Sequence, residues 1–436
     1  MKIKIRNFKF QISNFKFFSA LLLLCLFAPA QARDDYPRQA GLDAQQYRIR
    51  LSIGDAGDEI SAETEIVFAV RAANLREVAL DFPGLDVDAV SEQGRPARFT
   101  RGGGRLRIAL GADYKPGDLL NVSVKYHGAP SDGLYFKRNK FGDRTVFADN
   151  WPDRARHWFP SVDHPSDKAR VEFFVTAPAR YDVVANGELV ETTSRQDGTR
   201  LTHWRESVPV PVYCMVFGAT EFAVVNAGAS GGTGLWYYLY PKDRDRGLAD
   251  HGRALRMLEF YAGLVGPYPY EKLALVESST RFGGMENSSN IFFDENSYDG
   301  SGKLEGTVAH EIAHQWFGNS VTLAVWEEIW LNEGFAAYNE WLFDEPRNNG
   351  QTTKQQFDNL YAAPPQDDFW KLPPGRPPAA EDLFDPRIYE RGAMTLEALR
   401  QIVGETLFYD ILRTWATGHK FGNATTSQFI ALASSK

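Results

Sequence analysis

Cysteine is nearly missing from this sequence. Its 436 residues hold two, Cys25 and Cys214. Cys25 lies in a leader expected to be removed, so the mature chain keeps one thiol and has no internal disulfide. Stability must come from buried cores. Cys214, set in the apolar run over 210–217, is expected to be buried and inert. Membrane-spanning length is missing too: the apolar run over 17–29 is too short to cross a bilayer. There is no block of like charge and no internal repeat in the mature chain. Positive charge is in deficit, with 48 Lys and Arg against 56 Asp and Glu for a net charge of −8. Removing residues 1–32 removes five cations and no acid, which takes the charge to −13. Such a surface is not expected to bind nucleic acid or an anionic membrane by charge.

The leader itself is well marked. Lys2, Lys4, Arg6, Lys9 and Lys16 precede the apolar run, and Ala30-Gln31-Ala32 follows it. This pattern predicts a secretory signal peptide over 1–32, cleaved after Ala32, and export to the periplasm or the outside. No stable membrane anchor is expected after cleavage.

A chain of 436 residues fits two domains, each large enough to bury a core. The first reads as β. Tyr47, Ile49, Leu51 and Ile53 alternate with polar residues, as do Leu106 and Ile108, then Leu120, Val122, Val124 and Tyr126, then Val171, Phe173 and Val175. Turn signals separate them, among them Gly102-Gly103-Gly104 and Lys115-Pro116-Gly117-Asp118. The spacing predicts an antiparallel β domain over 33–226. Glycines over 228–234 mark a linker or turn. A second domain over 227–436 follows, with a helix over 246–265 and a short buried strand at Leu273, Leu275 and Val276. An irregular proline-rich stretch is expected over 364–378, and helical patterns over 396–403 and 427–433.

The most informative stretch is His310-Glu311-Ile312-Ala313-His314. Residues four apart share one helix face, so two imidazoles there can grip one metal ion, with Glu311 aimed at what the metal holds. A catalytic zinc site takes three protein ligands and leaves a fourth position open. The sequence offers Glu333 as the third, in an apolar run with Ile329, Leu331, Phe335 and Ala336 that reads as a second buried helix. Imidazole and carboxylate donors suit zinc, one ion per chain. Zinc brings the pKa of bound water toward neutrality, and Glu311 is placed to act as general base. The other histidines (His127, His157, His164, His203, His251 and His419) are taken as non-ligands.

Three motifs together resemble the M1 family of zinc aminopeptidases, in the gluzincin group. They are H-E-x-x-H followed after eighteen residues by Glu333 in Asn332-Glu333-Gly334-Phe335-Ala336, Gly283-Gly284-Met285-Glu286-Asn287, and Tyr389-Glu390-Arg391-Gly392-Ala393. The resemblance implies a multidomain α and β protein: a saddle-shaped N-terminal β domain, then a thermolysin-like, mainly α catalytic domain. It implies hydrolysis of N-terminal residues from peptides with a free N-terminus, using zinc-bound water as nucleophile. It gives Tyr389 the role of donor to the developing oxyanion. It assigns Gly283, Gly284, Met285, Glu286 and Asn287 to substrate binding, with the Glu286 carboxylate holding the α-ammonium. Two glycines beside a cleft also let a substrate backbone lie close.

Ala155-Arg156-His157-Trp158-Phe159-Pro160 resembles another family segment. The two positions before it that often help bind the amino terminus are here Asp149 and Trp151, a departure. Arg156, His157 and Asp163 are read as a polar network holding a long loop. Most members of the family carry a further helical domain after the catalytic one, so the expectation is a short form. Rival readings stay open: a zinc- and peptide-binding protein with little turnover because of C-terminal truncation, and a thermolysin-like endopeptidase, which has no need of Glu286. A purely structural zinc site is disfavoured by the open fourth position.

Overall fold

The computed structural model describes residues 34–345, 351–377 and 380–436. The leader expected over 1–32, with Cys25, lies outside the described residues, as does Pro378.

Alternation decides the first half. Tyr47, Ile49, Leu51 and Ile53 turn inward from one strand, Leu120, Val122, Val124 and Tyr126 from another, and Val171, Phe173 and Val175 from a third. These strands belong to an open eight-stranded sheet, in the spatial order 188–194, 199–211, 168–178, 42–53, 60–70, 119–128, 86–92 and 95–96. Its pairs are antiparallel except one. Leu42–Ile53 runs parallel to Lys168–Pro178, with Ile49 opposite Phe173. Periodicity alone does not show that pair, because it depends on a crossover of more than a hundred residues between the two strands. A four-stranded and a three-stranded sheet complete the β half. Cys214 is fully buried and shares a contact with Asn319 at 3.4 Å.

The second half opens on a five-stranded sheet, in the order 223–230, 233–239, 272–278, 290–294 and 284–285. Its central strand, Lys272–Ser278, is buried along its whole length and pairs in parallel on both sides. The first strand, Ala223–Ser230, runs through residue 226 and belongs by pairing to this sheet. The glycine-rich stretch after it is a tight hairpin. Ser230 faces Thr233, and Gly231 and Gly232 both take positive φ (57° and 91°), as the two-residue turn requires.

The helix expected over 246–265 is two helices, Arg244–Asp250 and Ala254–Val265. Tertiary contacts break it. Asp250 accepts the N–H groups of Gly300 and Gly302, and His251 bonds Tyr298 through Nε2 at 2.9 Å. The remaining long helices are Glu305–His314, Trp330–Asp344, Pro386–Val403, Glu405–Gly418 and Thr426–Ser435. The last is opened by a capping box between Thr425 and Gln428.

Buried lysines join the halves, and Lys272 does so through the Ala185 carbonyl at 2.8 Å. Lys168, on a strand of the large sheet, donates to the carbonyls of Asn319 (2.8 Å), Ser320 (2.9 Å) and Gly422 (3.4 Å). Two of those carbonyls lie in the turn that follows the helix carrying His310 and His314.

Candidate active site

Helix geometry places His310 and His314 one turn apart on the Glu305–His314 helix. Their rings approach to 4.6 Å between centroids. The His314 ring is fixed by its far nitrogen. Nδ1 lies 3.0 Å from the carbonyl of Phe317, which can only accept, so Nδ1 carries the proton and Nε2 presents a lone pair. Gly318 makes that contact possible. It sits at φ +122°, and a Cβ there would come 3.1 Å from Nδ1. His310 has a carboxylate behind it, with Glu340 Oε2 at 3.5 Å from Nδ1. Gly306, one turn earlier, leaves room for it, since a Cβ would come 2.9 Å from Glu340 Oε1.

Glu333 arrives from the neighbouring Trp330–Asp344 helix. Its Oε2 lies 3.3 Å from His310 Nε2 and 3.2 Å from His314 Nε2, and the two Nε2 atoms are 3.0 Å apart. Donors held tetrahedrally at zinc distances of about 2.0–2.1 Å stand about 3.3 Å from one another. The three atoms therefore fit one zinc ion. Among the described residues this is the one group of its kind. The other six histidines have different neighbours: Asp88, Ser131, Ser166, Glu172, Tyr298 and the Trp415 ring.

The carboxylates around the site are pushed in opposite directions. Burial works to raise the Glu333 carboxyl, but His314 and His310 outweigh it and hold it below the usual range. For Glu311 burial wins and the pKa rises, with Glu333 and Glu340 adding to it. Burial also pushes Glu286 up to about 8, with Glu333 and Glu311 adding and His314 opposing. Three buried carboxylates, Glu286, Glu311 and Glu333, crowd together here, an arrangement that only cations make tolerable.

Glycine contacts bring the remaining parts together. Gly284 lies in the edge strand Gly284–Met285 of the five-stranded sheet, and a Cβ there would come 2.7 Å from Cγ and Cδ of Glu311. No other residue leaves Glu311 its place. Gly283, in contrast, faces open space. The Pro386–Val403 helix crosses the Trp330–Asp344 helix at Gly392 and Gly334, where an added Cβ on either would come 2.6 Å from the other's Cα. That close crossing puts Tyr389, one turn before Gly392, beside the residue before Gly334. Its ring stacks on His310 at 5.8 Å. Burial, then Glu333, Glu286 and Glu311, raise the phenol's pKa well above its ordinary value, so it is a neutral donor at working pH.

Two family models match, the peptidase M1 N-terminal domain over residues 43–214 and the peptidase family M1 domain over 250–435. The chain belongs to peptidase family M1. Among curated M1 relatives, it is 26% identical to glutamyl aminopeptidase of Homo sapiens over 77% of this chain and 40% of the relative. It is 27% identical to probable aminopeptidase 1 of Saccharolobus solfataricus, over 80% of this chain and 46% of the relative. The chain thus spans less than half the length of these curated relatives. Among solved M1 structures, a zinc metallopeptidase from Deinococcus radiodurans superposes with a TM-score of 0.77 at 27% identity, covering 91% of each chain. A variant of it, solved with a Tyr-Ser-Ala substrate, gives 0.76 at 26%, again over 91% of each.

Within this M1 site, His310, His314, Glu333, Glu311, Glu286 and Tyr389 converge as a group. Met285 and Asn287 turn into the interior. Asp149 Oδ1 accepts from Arg154 at 2.6 Å while its Oδ2 has no partner among the described residues, and Trp151 is buried against Tyr213, Trp326 and Phe384. Arg156 and Asp163 form the expected loop network, with Nε to Oδ2 at 3.0 Å. Sequence reading missed Glu340, although it lies two helical turns from Glu333 on the same face. It also missed Gln315 and Asn319, which bond the backbone of Glu286.

Proposed function

We propose that this chain is a zinc-dependent aminopeptidase that removes single residues from peptides with a free N-terminus. The observation that carries it is the Glu286 carboxylate, buried and with Oε1 unpartnered, beside a three-donor metal set. His310, His314 and Glu333 would hold one zinc ion, whose chemistry is Lewis acidity and the acidification of water. Glu311 takes a proton from the attacking water and delivers it to the leaving amine. Tyr389 donates a hydrogen bond to the carbonyl oxygen as negative charge develops there. Glu286 receives the substrate ammonium through a charge-assisted bond and so selects peptide ends over internal sites. The leader over 1–32 supports export. Amino-terminal sequencing of the secreted protein, starting at Arg33, would test that.

The function is tested with a panel of aminoacyl chromogenic amides. Activity should disappear on chelation and return with zinc, and Glu311→Gln should lower kcat by about 10²–10⁴-fold with zinc retained. Cleavage of N-acetylated peptides at the same rate as free ones would favour the endopeptidase reading. Tight peptide binding without turnover in the zinc-loaded protein would favour the binding-only one.

A further inference from the structure

Glu286 shows an unusual contrast between its two ends. Its carboxylate Oε1 has no hydrogen-bond partner, whereas its backbone carbonyl is held twice. Gln315 Nε2 donates to that carbonyl at 2.9 Å and Asn319 Nδ2 donates to it at 2.5 Å. A carbonyl has two lone pairs, so both are used. Both donors are anchored on the histidine helix. Gln315 follows His314 directly in the chain, and the Asn319 N–H donates to the His314 carbonyl at 3.1 Å. Gln315 is itself fully buried and held at its other end, where Oε1 accepts from Ser289 N (2.8 Å) and the Tyr268 hydroxyl (3.2 Å).

Resting on the aminopeptidase reading above, we propose that Gln315 is a positioning residue that sets the spacing between the ammonium-binding carboxylate and the metal ligands. That spacing is the ruler of the reaction. Successive residues of an extended peptide are about 3.3–3.6 Å apart, so a site that takes one residue rather than two must hold its two ends to well within that distance. A two-amide clamp does this, with Gln315 next to His314 in the chain and Asn319 bonded to the His314 carbonyl, both gripping the Glu286 backbone. The amide of Gln315 suits the task because one end donates to Glu286 while the other accepts from Ser289, which fixes its orientation.

The test compares an aminoacyl p-nitroanilide with its des-amino analogue, alanyl against propionyl, in wild type, Gln315→Leu and Tyr268→Phe. Zinc content and cooperative unfolding are measured alongside. If Gln315 places the carboxylate, the ratio of kcat/KM for the two substrates falls by about tenfold in Gln315→Leu, the scale of one loosened charge-assisted bond. It falls about two- to threefold in Tyr268→Phe, which leaves the amide but removes one support. Zinc stays at one per chain in both. A merely structural residue would lower both substrates in parallel and leave the ratio unchanged, which overturns the proposal. Should Gln315→Leu fail to fold, the ratio in Tyr268→Phe decides, and an unchanged value there overturns it equally. A wild type that cleaves neither substrate overturns the aminopeptidase reading, and this inference with it.

Discussion

Gly392→Ala adds one methyl group at the point where two helices touch. That Cβ would stand 2.6 Å from the Cα of Gly334, and non-bonded carbons settle at about 3.5–4.0 Å, so the helices must part by about 1 Å. Overpacking of this kind costs about 1–3 kcal/mol, and the better helix propensity of Ala returns about 1 kcal/mol. The net loss of about 0–2 kcal/mol leaves a folded protein whose Tm falls by several degrees at most. The catalytic effect is larger. Tyr389 rides on the displaced helix, and an error of about 1 Å at a catalytic group costs about 100-fold in rate. Zinc should be retained, because no metal ligand lies on that helix. The assay is kcat on an aminoacyl amide, with zinc content, for Gly392→Ala, Tyr389→Phe and the pair. If glycine acts through the tyrosine, Gly392→Ala costs little more once Tyr389 is Phe. A folded Gly392→Ala enzyme with full activity would refute the reasoning. So would an equal loss in both backgrounds.

Three further predictions follow from buried groups. Glu340→Ala removes the carboxylate behind His310, and zinc affinity measured by chelator competition should fall about 10–100-fold. Burial lowers the His251 pKa to about 3, so the unfolded chain binds the extra proton between that value and the ordinary 6.5. Its contribution is therefore complete above pH 6.5 and lost as pH falls, about 2 kcal/mol between pH 7 and pH 5. Urea unfolding of wild type and His251→Asn at the two pH values should show the variant losing less by that amount. Lys168→Met leaves two buried carbonyls and one half-buried one without their shared donor and should cost about 2–4 kcal/mol in the same unfolding assay. Equal stability to wild type would show that water replaces the ammonium.

Local spacing made much of this molecule legible before any fold was known. The period-two strands and the i, i+4 histidines are local patterns, and both stand where the sequence places them. Glu333 was reachable because a carboxylate in an apolar helix needs a reason. What could not be read depends on contacts between distant segments. The break at His251 follows from Asp250 and Tyr298, and the parallel pairing of 42–53 with 168–178 from a long crossover. The place of Tyr389 comes from a glycine crossing in another helix. The start of that helix was present in the sequence and overlooked. Asp385 caps it and Pro386 occupies its first turn, so Tyr389 is helical rather than part of the irregular stretch before it. Gly284 and Gly306 carried a different message from the one glycine usually sends. They mark where a neighbouring carboxylate occupies the space of a side chain.

Lys168 has a consequence for how the protein can be assembled. Its three acceptors lie 151, 152 and 254 residues further along the chain. A β half folded by itself would leave the Lys168 amine without these acceptors, and in a catalytic half by itself the Asn319 and Gly422 carbonyls would keep only their bonds from Thr322. Neither half is a finished part that could be exchanged for another. The contact is complete only when the segment around Gly422 is in place, because that segment supplies the third carbonyl.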